Sequence, residues 1–210
     1  MVERVVLAGR VVRLEPLSFE HVPGLVAAAA ERREHYTWSW VPSGEEQVVR
    51  YVSGALAEEE AGHHLPFVHV RLDTAAVAGT TRFADIEPWQ WPPGSAMQRV
   101  DRPDTVEIGY TWLAASAQRT GINTEAKLLM LTHAFDVWGV HAVFLKTDAR
   151  NVRSRNAILR IGAQFEGVRR AHSPAVDGTP RDSAYFSIVA AEWPAVRAQL
   201  EQLCARGLTN

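Results

Sequence analysis

The chain has 210 residues, 47% of them hydrophobic and 22% charged, with a formal net charge of −2. That length buries a substantial core without cross-links, and a single cysteine, Cys204, excludes an internal disulfide framework or a cysteine-based zinc cluster. The charge balance offers no global attraction to nucleic acid or an anionic membrane. No stretch approaches the ~20 apolar residues of a membrane span, and the first residues lack the apolar run of a signal peptide. A cytoplasmic, reducing compartment is the expectation.

Arg10 to Glu15 alternates apolar and charged residues, the pattern of a half-buried strand ended by Pro16. Ser18 reads as the N-cap of a short helix over Phe19 to Ala30. An aromatic turn from His35 to Trp40 leads to a second helix, Glu45 to Ala61, stopped by Gly62. Leu65 to Leu72 and Val77 to Ile86 read as strands joined by the hairpin turn Asp73 to Ala76. Glu87 to Asp104 is irregular and carries Trp89 and Trp91 among its prolines. Strand Val106 to Leu113 follows, then a glycine-bearing turn and a helical pattern over Ala126 to Trp138. Val140 to Thr147 reads as a buried strand, Asn151 to Arg160 as a helix stopped by Gly162, and Gln164 to Arg169 as a strand. A loop over His172 to Pro180, a strand over Ser183 to Val189 and a closing helix over Glu192 to Arg206 complete the chain. This order mixes antiparallel hairpins with one βαβ crossover and predicts a single α+β domain over residues 1–210.

The stretch Gln118 to Lys127 is the centre of this organisation. A strand that turns into a helix leaves backbone N–H groups unpaired at the helix start, with the positive end of the dipole behind them. Such a turn suits a phosphate or pyrophosphate. An ordinary connection with Gly121 in a tight turn is the other reading.

The element order and three motifs resemble the GNAT superfamily of acyl-CoA-dependent N-acyltransferases, with the RimJ/RimL-type ribosomal-protein-alanine acetyltransferases as the branch most similar. The motifs are the strand Val106-Glu-Ile-Gly-Tyr110 with Trp112, the turn Gln118-x-x-Gly121-x-Asn123, and Asn151-x-x-Ser154 followed by Ile161-Gly162-Ala163. The resemblance implies a mixed, mostly antiparallel twisted sheet flanked by helices, acetyl-CoA as cosubstrate and a primary amine as acceptor, on a protein N-terminus, a peptide or a small molecule. A non-catalytic acyl-CoA-binding module is the alternative. Nucleic acid and membrane are not expected partners, and both monomer and homodimer are compatible.

The resemblance also implies residue roles. Ile108, Gly109 and Trp112 lie on the strand whose backbone pairs with the pantetheine arm. Gln118, Arg119, Thr120, Gly121, Ile122, Asn123 and Thr124 form the pyrophosphate turn. Asn123 departs from the family's glycine or alanine; asparagine tolerates positive φ, and its amide either adds a donor or obstructs. Asn151 caps its helix and bonds the arm, and Ser154 either donates to the leaving thiolate or bonds back to a backbone carbonyl of its helix. Glu107 is the candidate general base, with Asp85 as a substitute, because partial burial raises a carboxylate's pKa. Lys127 and Arg153 are read either as partners of a 3′-phosphate or as solvated cations. Tyr36, Trp38, Trp40, Trp89 and Trp91 wall the acceptor site or seal the core rim. Tyr110 is read as packing. The eight histidines show no metal-ligand spacing, so no metal is expected.

Overall fold

The computed structural model describes residues 2–99 and 101–207. One eight-stranded sheet runs in the order β1-β2-β3-β4-β5-β6-β8-β7. The strands are β1 (Leu7–Ala8), β2 (Val12–Pro16), β3 (Leu65–Arg71), β4 (Val77–Glu87), β5 (Thr105–Leu113), β6 (Ala142–Asp148), β7 (Gln164–Pro174) and β8 (Pro180–Val189). The helices are α1 (Val22–Ala30), α2 (Gly44–Glu60), α3 (Ile122–Thr132), α4 (Val152–Arg160) and α5 (Trp193–Gly207). Every neighbouring pair is antiparallel except β5 and β6, which the βαβ crossover through α3 makes parallel.

Alternation along β4 shows why helices cover both faces. Thr81 and Phe83 point to one side, where Thr81 Oγ1 lies 3.7 Å from Met130 Sδ of α3 and Phe83 packs 4.6 Å from Trp138. Thr80 and Arg82 point to the other, where the Tyr51 hydroxyl of α2 meets Thr80 Oγ1 at 2.8 Å. β3, clothed on both sides, is buried from Leu65 through Val70.

Several boundaries differ from the sequence reading. α3 begins at Ile122, four residues before its periodic pattern, because the polar Thr124 and Glu125 are buried in its first turn. The Glu125 carboxylate accepts hydrogen bonds from the backbone N–H groups of Arg10, Val11 and Val12 at 2.8, 2.7 and 3.0 Å. It thereby ties the β1–β2 turn to the start of α3, and β1 itself carries no periodic signal. α3 gives way at His133 to a wide π turn that ends on Gly139 at φ 65°. Finally, β7 runs to Pro174 and β8 starts at Pro180, well into the expected loop. β7 is an edge strand exposed along most of its length, so it shows no buried face to read.

Candidate active site

β5 and β6 pair only over Thr105–Glu107 and Ala142–Phe144. Beyond Glu107 the two strands diverge, leaving the edge of Ile108–Leu113 unpaired towards β6. A bulge on β5 accompanies the divergence. Thr80 faces Trp112 and Arg82 faces Gly109, so Tyr110 and Thr111 together oppose Thr81. Tyr110 takes a left-handed φ of 53° to make it. From the α3 side the bulge is pinned by Thr111 Oγ1, which lies 2.8 Å from Thr81 Oγ1 and accepts from Lys127 Nζ at 2.9 Å. Lys127 is buried in this contact, and burial pushes its ammonium down to about 7. Both readings of Lys127, as a partner for a phosphate and as a solvated cation, are therefore overturned: its side chain points under the sheet.

At the open end of β5, the turn into α3 has Gly121 as N-cap. Among the described residues, the backbone N–H groups of Arg119, Thr120, Gly121, Asn123 and Thr124 make no hydrogen bond within the chain. Two expected donors are spent internally. Gln118 N–H bonds Ala114 O at 3.2 Å, and Ile122 N–H bonds Thr120 Oγ1 at 3.3 Å. The positive φ sits on Arg119 at 62°, whereas Asn123 is helical, with its side-chain Oδ1 buried and unpartnered. A Cβ on Gly121 would meet only Val11 Cγ2, at 3.9 Å, and its φ is −67°. Neither backbone conformation nor protein packing requires glycine there; the space is open to a ligand. Thr124 Oγ1 accepts from Arg160 at 3.1 Å, so that side chain is committed to the fold.

Glu107 lies where the strands part. It is 4% exposed, and its Oε2 is 2.5 Å from Lys146 Nζ of β6. Lys146 also reaches Asp85 Oδ2 at 3.4 Å. Burial raises the Glu107 pKa to about 7, with Lys146 pulling it down and Asp85 pushing it up. A Cβ on Gly109 would collide with Glu107 Oε1, so this glycine lets the carboxylate lie over the strand. Opposite, Asn151 Oδ1 accepts from Ser154 N–H at 3.0 Å and caps α4 as expected. The Ser154 hydroxyl makes no hydrogen bond among the described residues, and so is not spent on a backbone carbonyl. Arg153 joins the two sides, donating to Gln118 Oε1 at 3.0 Å and to His35 O at 2.9 Å. The Ile108 and Trp112 side chains are buried in the core, which leaves only their backbone for an arm lying along β5.

The aromatic residues fall into separate groups. Tyr36 is buried and donates to Leu113 O at 3.0 Å, bracing the end of β5. Trp38 carries the Arg150 guanidinium 4.2 Å over its ring. Trp89 and Trp91 pack against His141, at 5.3 and 5.7 Å, at the closed end of the β5/β6 junction. Trp40 is 57% exposed and lines a cavity of about 300 Å³ with Gln47, Arg50 and Tyr51. Tyr110, read from the sequence as packing, is instead 52% exposed, beside Arg82 and His64. A larger cavity, about 350 Å³, lies beside the turn into α3 on the β2–β3 side, away from the diverging strands.

The sequence reading did not single out Lys146, Arg82, His64 or Tyr51 as site residues. A lysine directly after the run Ala142 to Leu145 in its buried strand, and an arginine inside Val77 to Ile86, were the available signals.

The model of the GNAT acetyltransferase domain matches residues 12–164. The chain belongs to this family. A structure of a GCN5-related N-acetyltransferase from Brucella melitensis shares 28% identity and a TM-score of 0.80, covering 97% of this chain and 86% of that one. Mycobacterium smegmatis RimJ, solved in complex with CoA-disulfide, shares the fold at a TM-score of 0.72 and 23% identity, covering 95% and 92%. Bacillus subtilis YdaF, named for a proposed ribosomal N-acetyltransferase activity, is 34% identical over 87 residues. That match spans 41% of this chain and 46% of YdaF, so it covers about half of the relative's length. Among the described residues no helix is long and apolar enough to cross a membrane.

Proposed function

We propose that the chain transfers an acetyl group from acetyl-CoA to a primary amine, on a protein N-terminus or a small molecule, by direct attack. The observation that carries this reading is the divergence of β5 from β6 at Glu107, with five free backbone donors at one end of the gap. The structure of RimJ in complex with CoA-disulfide supports the same use of this fold. In this reading the turn donors Arg119, Thr120, Gly121, Asn123 and Thr124 hold the pyrophosphate. The edge of Ile108–Leu113 pairs with the pantetheine arm as an added strand would.

Acetyl-CoA supplies a thioester with a good leaving group. Glu107 takes a proton from the attacking amine, directly or through one water, as the new C–N bond forms. Its raised pKa suits this task near neutrality, and Lys146 holds the carboxylate in place. As the C–S bond breaks, the thiolate takes a proton from the unspent Ser154 hydroxyl, and the proton taken up by Glu107 passes back through solvent to restore the serine, so that CoA leaves as the thiol. No covalent enzyme intermediate is needed, and burial raises the pKa of Cys204, which disfavours the thiolate a nucleophile would require.

The test is calorimetric titration with acetyl-CoA, with desulfo-CoA and adenosine bisphosphate as controls, followed by thiol release across an amine panel. Saturable binding that needs both the phosphate end and the arm, with thiol release, is expected. Binding without release from any amine would leave a binding module, and no binding would remove the reading altogether.

A further inference from the structure

Arg82 is a charge buried on the acceptor side of the sheet with no acid to neutralise it. It is 5% exposed, and no carboxylate lies within ion-pair distance among the described residues. Its Nη1 donates to His64 Nδ1 at 3.3 Å, which fixes His64 as the acceptor because arginine has no lone pair to offer. Burial and Arg82 both lower the His64 pKa, which keeps that ring neutral. The remaining surroundings are aromatic: the guanidinium carbon sits 4.1 Å over the Tyr110 ring and 5.2 Å from the Tyr51 ring. Aromatic faces favour the cation but take none of its in-plane hydrogen bonds. The other guanidinium N–H groups have no protein acceptor among the described residues, and they are not fully enclosed. They therefore meet solvent.

This unspent edge lies beside the proposed general base. Arg82 faces Gly109 across the β4–β5 ladder, and Glu107 is two residues back on the same face. Two residues of strand span about 7 Å, and Glu107 lies over Gly109 towards the arginine. On the far side, Tyr51 continues to Trp40, 6.0 Å away, and to the cavity that Trp40 lines. The nearby acids are committed elsewhere: Glu58 bonds His63 at 3.0 Å, and Asp85 and Glu107 share Lys146.

We propose that Arg82 is the seat for a carboxylate carried by the amine acceptor, on the same face of the sheet as Glu107. The proposal rests on the transferase reading and names the class of acceptor for it. A guanidinium with free in-plane donors takes a carboxylate bidentately. An acidic side chain on the first residues of a peptide carries such a carboxylate apart from the reacting amine, as does an amino acid whose amine is remote from its carboxylate.

The experiment compares C-terminally amidated peptides that differ only by Asp against Asn, or Glu against Gln, at the second position. A second arm compares ω-amino acids with their amides and separates small-molecule from protein acceptors. The expected result is at least a tenfold preference in kcat/KM for the acidic member of one arm. The preference shrinks with salt and collapses towards one in Arg82→Gln, whose folding is checked by acetyl-CoA titration. Equal rates for acid and amide in both arms, or a preference that survives Arg82→Gln, would overturn the seat while leaving the transferase intact. Calorimetric binding of the N-acetylated peptides is read in parallel. Acid-selective, Arg82-dependent binding without turnover would support the seat and overturn the transferase reading.

Discussion

At its first residues β5 is hydrogen-bonded on both edges, and the Asp104 carboxylate beside it is held. Buried Asp104 accepts from Trp89 N–H at 2.7 Å and Trp91 Nε1 at 3.1 Å, and lies 3.4 Å from His141 Nε2. Beyond Glu107 the same strand is bonded to β4 alone, and its neighbours hold unspent groups: the Ser154 hydroxyl, the turn N–H groups and the Arg82 edge. Within one strand, polar groups that find partners in the chain stabilise the fold, and those that do not mark where a ligand supplies them. Substitutions at the closed end should cost stability and spare chemistry; those at the open end should do the reverse.

The largest separation is expected from Glu107→Gln, which should lower kcat about 10²- to 10³-fold while leaving acetyl-CoA affinity nearly unchanged. Turnover and calorimetry on one preparation check it. At the closed end, Asp104→Ala strands two donors and should destabilise the protein by about 3 kcal/mol. Chemical denaturation reads this, and the rate per folded molecule should stay close to that of the parent.

Lys127→Met sharpens the contrast, because Lys127 is a structural cost beneath the open end. Its folded pKa of about 7 lies below the ordinary lysine value, so between the two the unfolded chain binds more protons and wild-type stability rises with pH. Below pH 7 the folded protein carries the buried charge in full. The substitution should therefore stabilise by roughly 2–4 kcal/mol at pH 6 and by less at pH 9. Denaturation midpoints at the two pH values decide it, and a gain that grows with pH would contradict the assignment. The smallest effect is expected of Ser154→Ala: a loss in kcat of about 3- to 10-fold, greatest with poor leaving thiols, and a stability change within about 0.5 kcal/mol.

Much of this organisation was legible in the sequence because it is local. The strand into Leu113, the turn at Gly121 and the Asn151 cap are encoded by neighbours in the chain, and their order predicts the crossover that makes β5 and β6 parallel. What was not legible depends on pairing across the sheet. Lys146 meets Glu107 only because β6 docks on β5. Alternation puts Thr80, Arg82 and Ala84 on one face of β4, but nothing local reveals that Tyr51 and Tyr110 close around the arginine. Thr124 and Glu125 are polar yet buried, so hydrophobic periodicity starts α3 too late. Tyr110 reads as an inward strand residue, and the bulge turns it out to solvent.

The most direct test of the central claim is the pH dependence of kcat/KM for an amine acceptor at saturating acetyl-CoA, in the parent and in Glu107→Gln. The account predicts that the parent rate rises with pH through about 7, as Glu107 loses its proton, and that this limb disappears in the variant, leaving only the titration of the acceptor amine. A variant with the same limb and a similar rate would show that Glu107 is not the base.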